Sequence, residues 1–289
     1  MELDIIKPIG PCNGVRNAIN QAINIKHTYP DKQVYILGAL VHNDLVINDL
    51  IDQGIYVLDA AFEEYETAIM SLSKGSILIF SAHGHDERLD DICLKRGIVT
   101  FDTICPMVNK NRKLIKKYLS KGYKVLFIGD KNHVETKAVL SIDKTNIKLF
   151  ENLLDLYYFN TNQNIFVCLQ TTLNYYKTKE LISQIKQILP NVVVSKEICP
   201  VTRIRQENMT KLSRYTDAIL VVGDKNSSNT TKLLNIAKDN YPHIYSTLVE
   251  TEKDISNEIA NKKHVVVTSG TSAPDSLVQR VISVLNDLR

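Results

Sequence analysis

The sequence lacks the marks of several large classes of protein. No apolar run reaches the roughly 18 residues that a membrane-spanning helix needs, and no secretion signal opens the chain. The net charge is only +3, with Lys and Arg scattered rather than clustered. We therefore expect a cytoplasmic protein that binds neither a membrane nor a nucleic acid.

The motifs of common cofactors are also missing. The sequence contains no Gly-x-Gly-x-x-Gly, no Gly-x-x-x-x-Gly-Lys-Ser/Thr and no His-Glu-x-x-His motif. It therefore gives no support to nicotinamide, nucleotide or zinc-protease chemistry. It also has no pair of cysteines separated by two residues, the spacing that is typical of structural zinc sites.

Cysteine is scarce, but three of the five cysteines are regularly spaced. Cys12, Cys105 and Cys199 follow one another at intervals of 93 and 94 residues. Each comes after an apolar, strand-like run and before a helix-like stretch. An odd number of cysteines in a reducing compartment does not suggest disulfides. We expect Cys93, on a short helix, and Cys168, in an apolar strand, to pack in the core.

This spacing indicates three copies of one unit. Residues 104–132 align with residues 198–226 without a gap, and both segments begin with Ile-Cys-Pro and end with Gly-Asp-Lys-Asn. The predicted units are 1–96, 97–190 and 191–289, the last with a C-terminal helix. Six short apolar runs rich in β-branched residues predict strands buried on both faces. The predicted fold class is therefore α/β, with three pseudo-equivalent units, each with a mainly parallel sheet, around a central cavity.

Two polar clusters recur in each unit, at the ends of predicted strands. The first contains His42, His133 and Ser227, which follow the cysteine of their unit by 30, 28 and 28 residues. Ligands collect beyond the carboxyl ends of parallel strands, so we expect the polar clusters to meet the cysteines. The second cluster follows a later strand and comprises His83, Thr171 and Ser272.

The three cysteines predict a metal centre. A cysteine at a helix N-terminus is expected to have a lowered pKa, because the helix dipole favours the thiolate. Structural zinc normally takes four ligands, whereas single cysteines at long separations favour one [4Fe–4S] cluster with three cysteine ligands and an open fourth iron. Such an iron can act as a Lewis acid and pass electrons. The alternative, three unrelated core cysteines, does not explain the repeat.

The polar clusters predict an anion site. Imidazoles, hydroxyls and amides near helix N-termini suit a phosphate or a diphosphate. Helix capping is an alternative role for the hydroxyls, and we prefer it only for Thr230. His27, His243 and His264 are expected to be ordinary core or surface residues, while His85 is left open. The candidate anion-binding residues are His42, His83, His133, Thr171, Ser227, Ser228, Asn229 and Ser272.

Glu135 is the carboxylate that lies beside a repeated polar position, two residues after His133. In a dry cavity it would be a proton source for a reductive step. As a solvated loop carboxylate it would have no such role, and the sequence favours the two interpretations equally. Asp130 and Asp224 occupy equivalent positions in two units and are predicted to be turn residues.

The chain resembles the 4-hydroxy-3-methylbut-2-enyl diphosphate reductase family (IspH/LytB) along essentially its whole length. The resemblance rests on the motifs GPCNGV, LVHNDLVINDL, SAHG, DTICP, NHVE, QTTL, EICPVTRIRQ, VVGDKNSSNT and TSGTSAPDSLVQRVI. It implies three α/β units in a cloverleaf around one [4Fe–4S] cluster. It also implies the two-electron reductive removal of an allylic hydroxyl, which gives isopentenyl and dimethylallyl diphosphate in the last step of the non-mevalonate isoprenoid pathway.

The resemblance also implies a role for each candidate residue. Cys12, Cys105 and Cys199 would bind the cluster. Glu135 would supply protons near the reacting hydroxyl, with Thr171 and His133 as further catalytic residues. A ferredoxin or flavodoxin-type protein would donate the electrons, and the enzyme would be a monomer or homodimer. The substrate-binding residues would be His42, His83, His133, Thr171, Ser227, Ser228, Asn229 and Ser272.

Four positions depart from the family pattern. Val134 stands where the family usually has Pro, and Lys137 stands where an acid is common, so both changes lie beside Glu135. Pro11 and Pro200 flank the first and third cysteines, where the family tends to have other residues. Two alternative functions follow from the same residues. A cluster-dependent hydro-lyase would turn over without a reductant, and a non-catalytic iron–sulfur redox sensor or paralogue would need no anion pocket.

Overall fold

A computed structural model of the protein describes residues 1–159, 163–195 and 198–288. Its strands form three four-stranded sheets, and all the strand pairs in them are parallel. Within these ranges, no helix has the length and apolar character needed to cross a membrane. The predicted class of three α/β units with parallel sheets is confirmed.

Each sheet and its helices form one unit. The first unit comprises α1 (Asn13–Thr28), β2 (Val34–Leu37), α2 (Asp44–Asp52), β3 (Tyr56–Leu58), α3 (Tyr65–Met70), β4 (Ile77–Phe80), α4 (Arg88–Arg96) and β5 (Val99–Asp102). The second comprises α5 (Pro106–Leu119), β6 (Lys124–Ile128), α6 (Val134–Leu140), β7 (Ile147–Phe150), β8 (Ile165–Leu169), α7 (Tyr175–Ile188) and β9 (Val193–Val194). The third comprises α8 (Pro200–Met209), β10 (Ala218–Val222), α9 (Ser228–Asn240), β11 (Tyr245–Val249), α10 (Asn257–Ala260), β12 (His264–Ser269), α11 (Asp275–Asp287) and the N-terminal β1 (Glu2–Ile5).

The three sheets share one strand order. The orders are β3-β2-β4-β5, β7-β6-β8-β9 and β11-β10-β12-β1. In each unit the first and third strands therefore lie side by side at the centre of the sheet. The second strand lies beyond the first and the fourth beyond the third, so the connections from the central pair run toward opposite edges. Such a reversal opens a crevice beyond the carboxyl ends of the two central strands, where open parallel sheets bind their ligands.

The fourth strand of each sheet lies outside the predicted range of its unit. β5 follows residue 96, β9 follows residue 190, and β1 joins the third sheet by pairing with β12, where Glu2 lies beside His264. Each of these segments runs parallel to the third strand of a sheet and adds to its free edge, so pairing extends each sheet by one strand. The ranges 1–96, 97–190 and 191–289 remain predictions of domain extent, while the sheets group the strands in this different way.

The three regularly spaced cysteines lie where one unit ends and the next begins. Cys12, Cys105 and Cys199 are the N-caps of α1, α5 and α8, and Pro106 and Pro200 occupy the first turns of the last two helices. Proline suits that position because its missing N–H is not needed there. The predicted helix starts are confirmed.

The same backbone hydrogen bond holds each of these cysteines. The N–H of the cysteine donates to the carbonyl two residues beyond the third strand of one sheet, the sheet that contains the strand just before the cysteine. The pairs are Cys12 with Thr271 (3.0 Å), Cys105 with Ala82 (2.9 Å) and Cys199 with Thr171 (3.1 Å). This equivalence extends the triplication that the sequence predicts to the backbone hydrogen bonds.

The central strands are buried on both faces. β4, β8, β10 and β12 are buried along their whole length, and each sheet packs apolar clusters on its two sides. Cys93 and Cys168 have no exposed surface and belong to these clusters, as predicted. Burial raises the pKa of Cys93 to about 11 and that of Cys168 to about 12, so both stay thiols.

Candidate active site

One cavity at the meeting point of the three units contains the predicted site. It encloses about 690 Å³ between its walls, part of which is open to solvent. The loops that follow the central strands of all three sheets line it, as their strand order requires. The structure therefore brings together every sequence-predicted site residue. These residues are Cys12, Cys105, Cys199, His42, His83, His133, Glu135, Thr171, Ser227, Ser228, Asn229 and Ser272.

The three cysteines lie on one wall and leave room between them. A methyl group on Gly14 would lie 2.7 Å from Sγ of Cys105 and 3.8 Å from Sγ of Cys12, so the missing side chain keeps this space open. Within the described ranges, the three sulfur atoms do not all lie within 4.8 Å of one another, as the ligands of a single ion would. This separation favours a larger inorganic group over a single zinc ion.

The expected lowering of the thiol pKa is wrong for Cys105. Burial raises the pKa of Cys105, and the neighbouring Cys12 and Cys199 raise it further. The backbone N–H groups of Met107 and Val108, at the start of α5, lower the pKa of Cys105, but by less than burial raises it. Desolvation and like charge thus outweigh the helix dipole. A metal group would supply the positive charge that the sulfur lacks.

Arg205 is a buried cation beside the same wall. Its guanidinium donates to the carbonyls of Ser269, Gly270 and Gly10, while its Nε is buried without a partner in the described structure. Burial lowers the pKa of Arg205 to about 10, and Cys12 and one further cysteine, Cys199, oppose that shift. The side chain therefore both ties the third unit to the loop before Cys12 and places positive charge near the sulfurs.

Three histidines on the cavity wall form a compact group. One ring nitrogen from each of His42, His83 and His133 lies within 4.8 Å of the other two. Burial lowers the pKa of each imidazole, to about 3 for His133 and well below the ordinary value for His83, where the other two rings add to the effect. The three rings are therefore neutral, and a bound anion would favour their protonation.

The ring of His133 has a donor nitrogen, and the ring of His42 has a nitrogen without a partner in the described part of the chain. Nδ1 of His133 accepts a hydrogen bond of 3.1 Å from the backbone N–H of Glu135, so the proton of the neutral ring is on Nε2. Nε2 of His42 is buried without a partner among the described residues. Unpartnered ring nitrogens in a cavity suit a ligand with many acceptor oxygens, such as a diphosphate.

Glu135 is a buried acid rather than a solvated one. Its side chain is 1% exposed. Oε1 accepts from the backbone N–H of Thr171 at 2.9 Å, and Oε2 accepts from the hydroxyl of Thr171 at 2.7 Å. Burial raises the pKa of Glu135 to about 7, although the Thr171 hydrogen bonds and the charge of Lys232 oppose this shift. The sequence left this choice open, and burial decides it in favour of a carboxyl that titrates near neutral pH.

The hydroxyl and amide groups come from the N-terminus of α9 and the loop after β12. Ser227 is the N-cap of α9, and its Oγ accepts from the N–H of Thr230. The preference for Thr230 as the cap is therefore wrong. Its side chain is buried against Gly223 and Gly270, where an added methyl group would clash with it.

Asn229 and Ser272 also hold the cavity together. The amide oxygen of Asn229 accepts from the N–H of Thr271 at 2.9 Å, and Ser272 donates to the carbonyl of His42 at 2.9 Å. The second contact joins the third unit to the first. Both side chains thus have a structural partner in addition to their place on the cavity wall.

The remaining histidines are as expected or are now assigned. His264 is buried and pairs with Asp4 at 3.0 Å. His85, left open by the sequence, stacks on Phe80 with ring centroids 3.6 Å apart and contacts Asp90 at 3.0 Å. Neither residue lines the cavity.

The comparisons with known proteins agree with this geometry. The sequence model of the family described as "LytB protein" matches residues 4–286. The chain is 36% identical to the 4-hydroxy-3-methylbut-2-enyl diphosphate reductase of Malacoplasma penetrans, over 99% of this chain and 97% of that relative. It is 35% identical to the reductase of the same name from a Geobacillus strain, over 99% of this chain and 90% of that relative.

The chain belongs to the LytB protein family. Its fold is similar to that of the E-1-hydroxy-2-methyl-but-2-enyl-4-diphosphate reductase from Plasmodium falciparum, with a TM-score of 0.88 and 27% identity over 98% of this chain and 87% of that chain. A second LytB-like structure is that of (E)-4-hydroxy-3-methyl-but-2-enyl diphosphate reductase, the terminal enzyme of the non-mevalonate pathway. Its TM-score is 0.72 at 27% identity, over 99% of this chain and all of that chain.

Val134 and Lys137, where this LytB chain departs from the family pattern, do not displace Glu135 from the cavity wall. Val134 begins α6 directly after its N-cap, His133. Lys137, one turn further on, makes an ion pair of 2.8 Å with Glu63 of the first unit. The replacement of an acid by Lys thus gives α6 a contact with the neighbouring unit on the side away from the cavity.

Sequence reasoning missed three residues of this LytB site. Gly14 could have been found as a glycine in the first turn of a helix, where it costs stability unless space is needed. Lys232 lies four residues after Ser228, one turn along α9, and its position on the same helix face was a usable signal. Arg205 gave no local signal, because its acceptors are distant in the sequence.

A first test concerns the space between the sulfurs. Gly14→Ala should lower the iron content after anaerobic reconstitution by at least about threefold, because the new methyl group would displace a cysteine sulfur. Helix content should not fall, since Ala favours a helix over Gly by about 1 kcal/mol. Iron per chain and circular dichroism are the measurements. Asn17→Ala, on the exposed face of α1, is the matched control. Full iron content in Gly14→Ala would show that the space is not needed.

Proposed function

We propose that this chain reduces 4-hydroxy-3-methylbut-2-enyl diphosphate to isopentenyl and dimethylallyl diphosphate. The observation that carries the proposal is the cavity itself. Three cysteines from three units, an anion site of neutral histidines and hydroxyls, and a buried carboxyl that titrates near neutral pH all face one space. Relatives at 35–36% identity over 99% of the chain bear the name of this reductase.

The reaction needs two electrons and two protons. The bond between the allylic carbon and its hydroxyl breaks, the hydroxyl leaves as water with one proton, and the second proton goes to the allyl group. Which carbon receives the second proton decides between the two products. The protein must therefore bind the diphosphate, deliver electrons, and protonate the departing oxygen.

Cys12, Cys105 and Cys199 would hold a [4Fe–4S] cluster with a fourth iron that has no cysteine ligand. Their donor set fits, because the space kept open by Gly14 is wider than one ion needs and no further cysteine lines the cavity in the described structure. When bound, such a cluster supplies electrons and a Lewis-acid position. The electrons would come from a ferredoxin or flavodoxin-type donor.

The diphosphate would lie against the histidine group and the start of α9. Nε2–H of His133 and the other imidazoles donate to its oxygens, together with Ser227 and Ser228. Ser272 would line the site while its hydroxyl proton stays on the carbonyl of His42. The N-terminus of α9, a helix of 13 residues, adds the positive end of its dipole. Neutral rings become better donors if the anion raises their pKa and they gain protons.

Glu135 and Thr171 would deliver the first proton. In its protonated form, Glu135 donates to the Thr171 hydroxyl, and that hydroxyl passes its own proton to the substrate oxygen. The 2.7 Å contact between the two side chains provides the path. A pKa of about 7 is well placed for this task, because the acid is then protonated in a large fraction of molecules at neutral pH.

The function is tested by anaerobic reconstitution with iron and sulfide, followed by turnover of the allylic diphosphate with a chemical reductant. Products identified by mass spectrometry should be the two C5 diphosphates, and none should form without the reductant. Cys12→Ser, Cys105→Ser and Cys199→Ser should each lose most of the visible absorbance and activity. Cys93→Ala, a cysteine in the core, is the control. Turnover that persists without a reductant would instead indicate a hydro-lyase.

The proton path predicts a pH dependence. Glu135→Gln should lower kcat by about 100- to 10,000-fold, the usual effect of losing a general acid, while binding of inorganic diphosphate stays unchanged. In the parent enzyme, kcat should fall as pH rises through a value at or above about 7, because the acid form of Glu135 is then lost and the bound diphosphate raises its pKa further. Calorimetry and kcat profiles are the measurements. Near-parental kcat in Glu135→Gln would remove Glu135 from the path.

A further inference from the structure

A second cavity adjoins the anion site. It is lined in part by His42, His133 and Ser228, which also line the main cavity. Lys232 lies on the wall of this second cavity. Among the described residues that line either space, Lys232 is the one lysine or arginine. Burial lowers the pKa of the imidazoles beside it, so Lys232 is the permanent cation on these walls.

Lys232 is joined directly to a residue of the anion site. Its Nζ donates a hydrogen bond of 2.7 Å to Oγ of Ser228, one turn earlier on α9. The same Oγ accepts a second hydrogen bond, of 3.1 Å, from the hydroxyl of Thr172 in the second unit. The Ser228 hydroxyl thus receives one donor from the second unit and one from its own helix.

The two hydrogen bonds to Ser228 decide how its hydroxyl can bind a ligand. A serine hydroxyl has one proton to donate and two lone pairs to accept with. Because Lys232 and Thr172 occupy both lone pairs, Ser228 can take part in a further hydrogen bond only as a donor. An anion in the cavity requires donors, and a hydroxyl already set as a donor needs no reorganisation when the ligand binds.

The charges around Lys232 also fit this role. Asp130, on the loop before α6, and Glu135 attract the amine, while burial lowers its pKa. Lys232 in turn lowers the pKa of His133 and of Glu135. The amine is therefore partly desolvated, and in such an environment its charge acts more strongly on a nearby anion than it would in bulk water.

We propose that Lys232 is a positioning residue of the diphosphate site, which sets the Ser228 hydroxyl as a donor and adds the fixed positive charge that the neutral histidines lack. The proposal rests on the proposed function of the cavity as a diphosphate site. It assigns Lys232 to recognition of the diphosphate and not to the removal of the hydroxyl, which takes place beside Glu135 and Thr171.

The test uses Lys232→Met in the cluster-loaded enzyme, with inorganic diphosphate as the probe in anaerobic calorimetry. The loss of a charge-assisted hydrogen bond should raise Kd by about 10- to 100-fold. KM for the allylic substrate should rise by a similar factor, while kcat stays within about threefold, because the diphosphate is held equally in the ground and transition states. Lys232→Arg should recover most of the affinity. Lys238→Met, which removes the same charge from the exposed part of α9, should bind as the parent does.

A double variant distinguishes a positioning role of Lys232 from a simple electrostatic attraction between Lys232 and the diphosphate. Because Lys232 acts through Ser228, the loss in the double variant Ser228→Ala/Lys232→Met should be clearly smaller than the combined losses of the single variants. Fully additive losses would overturn the positioning role. An unchanged Kd in Lys232→Met or in Lys232→Gln, with normal circular dichroism, would overturn the proposal while leaving the proposed function intact. Failure of the parent enzyme to bind inorganic diphosphate would count against the diphosphate site itself.

Discussion

The backbone hydrogen bond that each N-cap cysteine makes to the sheet before it is the contact on which the cavity depends. Cys12, Cys105 and Cys199 each start a helix of one unit while their backbone N–H is bonded to the loop after a central strand of another sheet. The backbone of each cysteine is therefore fixed by two units at once. Three such junctions bring the cysteines and the loops after the central strands to one cavity.

The burial of the side chains that line this cavity determines their protonation states. Burial keeps the histidines neutral, raises the pKa of Glu135 to about 7, and raises the pKa of the Cys105 thiol. Each shift disfavours the charged form of an isolated group. A positively charged group beside the sulfurs and an anion beside the histidines would each offset these costs.

The altered segment beside Glu135 shows how such a site tolerates sequence change. The positions that matter for the proton path are fixed by the N-cap at His133 and by the contact of Glu135 with Thr171. Lys137, on the same short helix, pairs with Glu63 of the first unit. The change at Lys137 therefore adds a contact between units, while Glu135 keeps its place on the cavity wall.

The sequence by itself determined the triplicated α/β architecture, the cysteines at helix starts and the polar residues at strand ends, because these follow from spacing and local patterns that any one segment carries. Tertiary structure alone decided that β1 completes the third sheet, that Thr230 is a packing residue, that Cys105 has a raised pKa, and that Arg205 lies beside the site. The physical reason is that strand pairing, desolvation and the partners of a buried charge depend on residues far apart in the chain, so no local pattern records them.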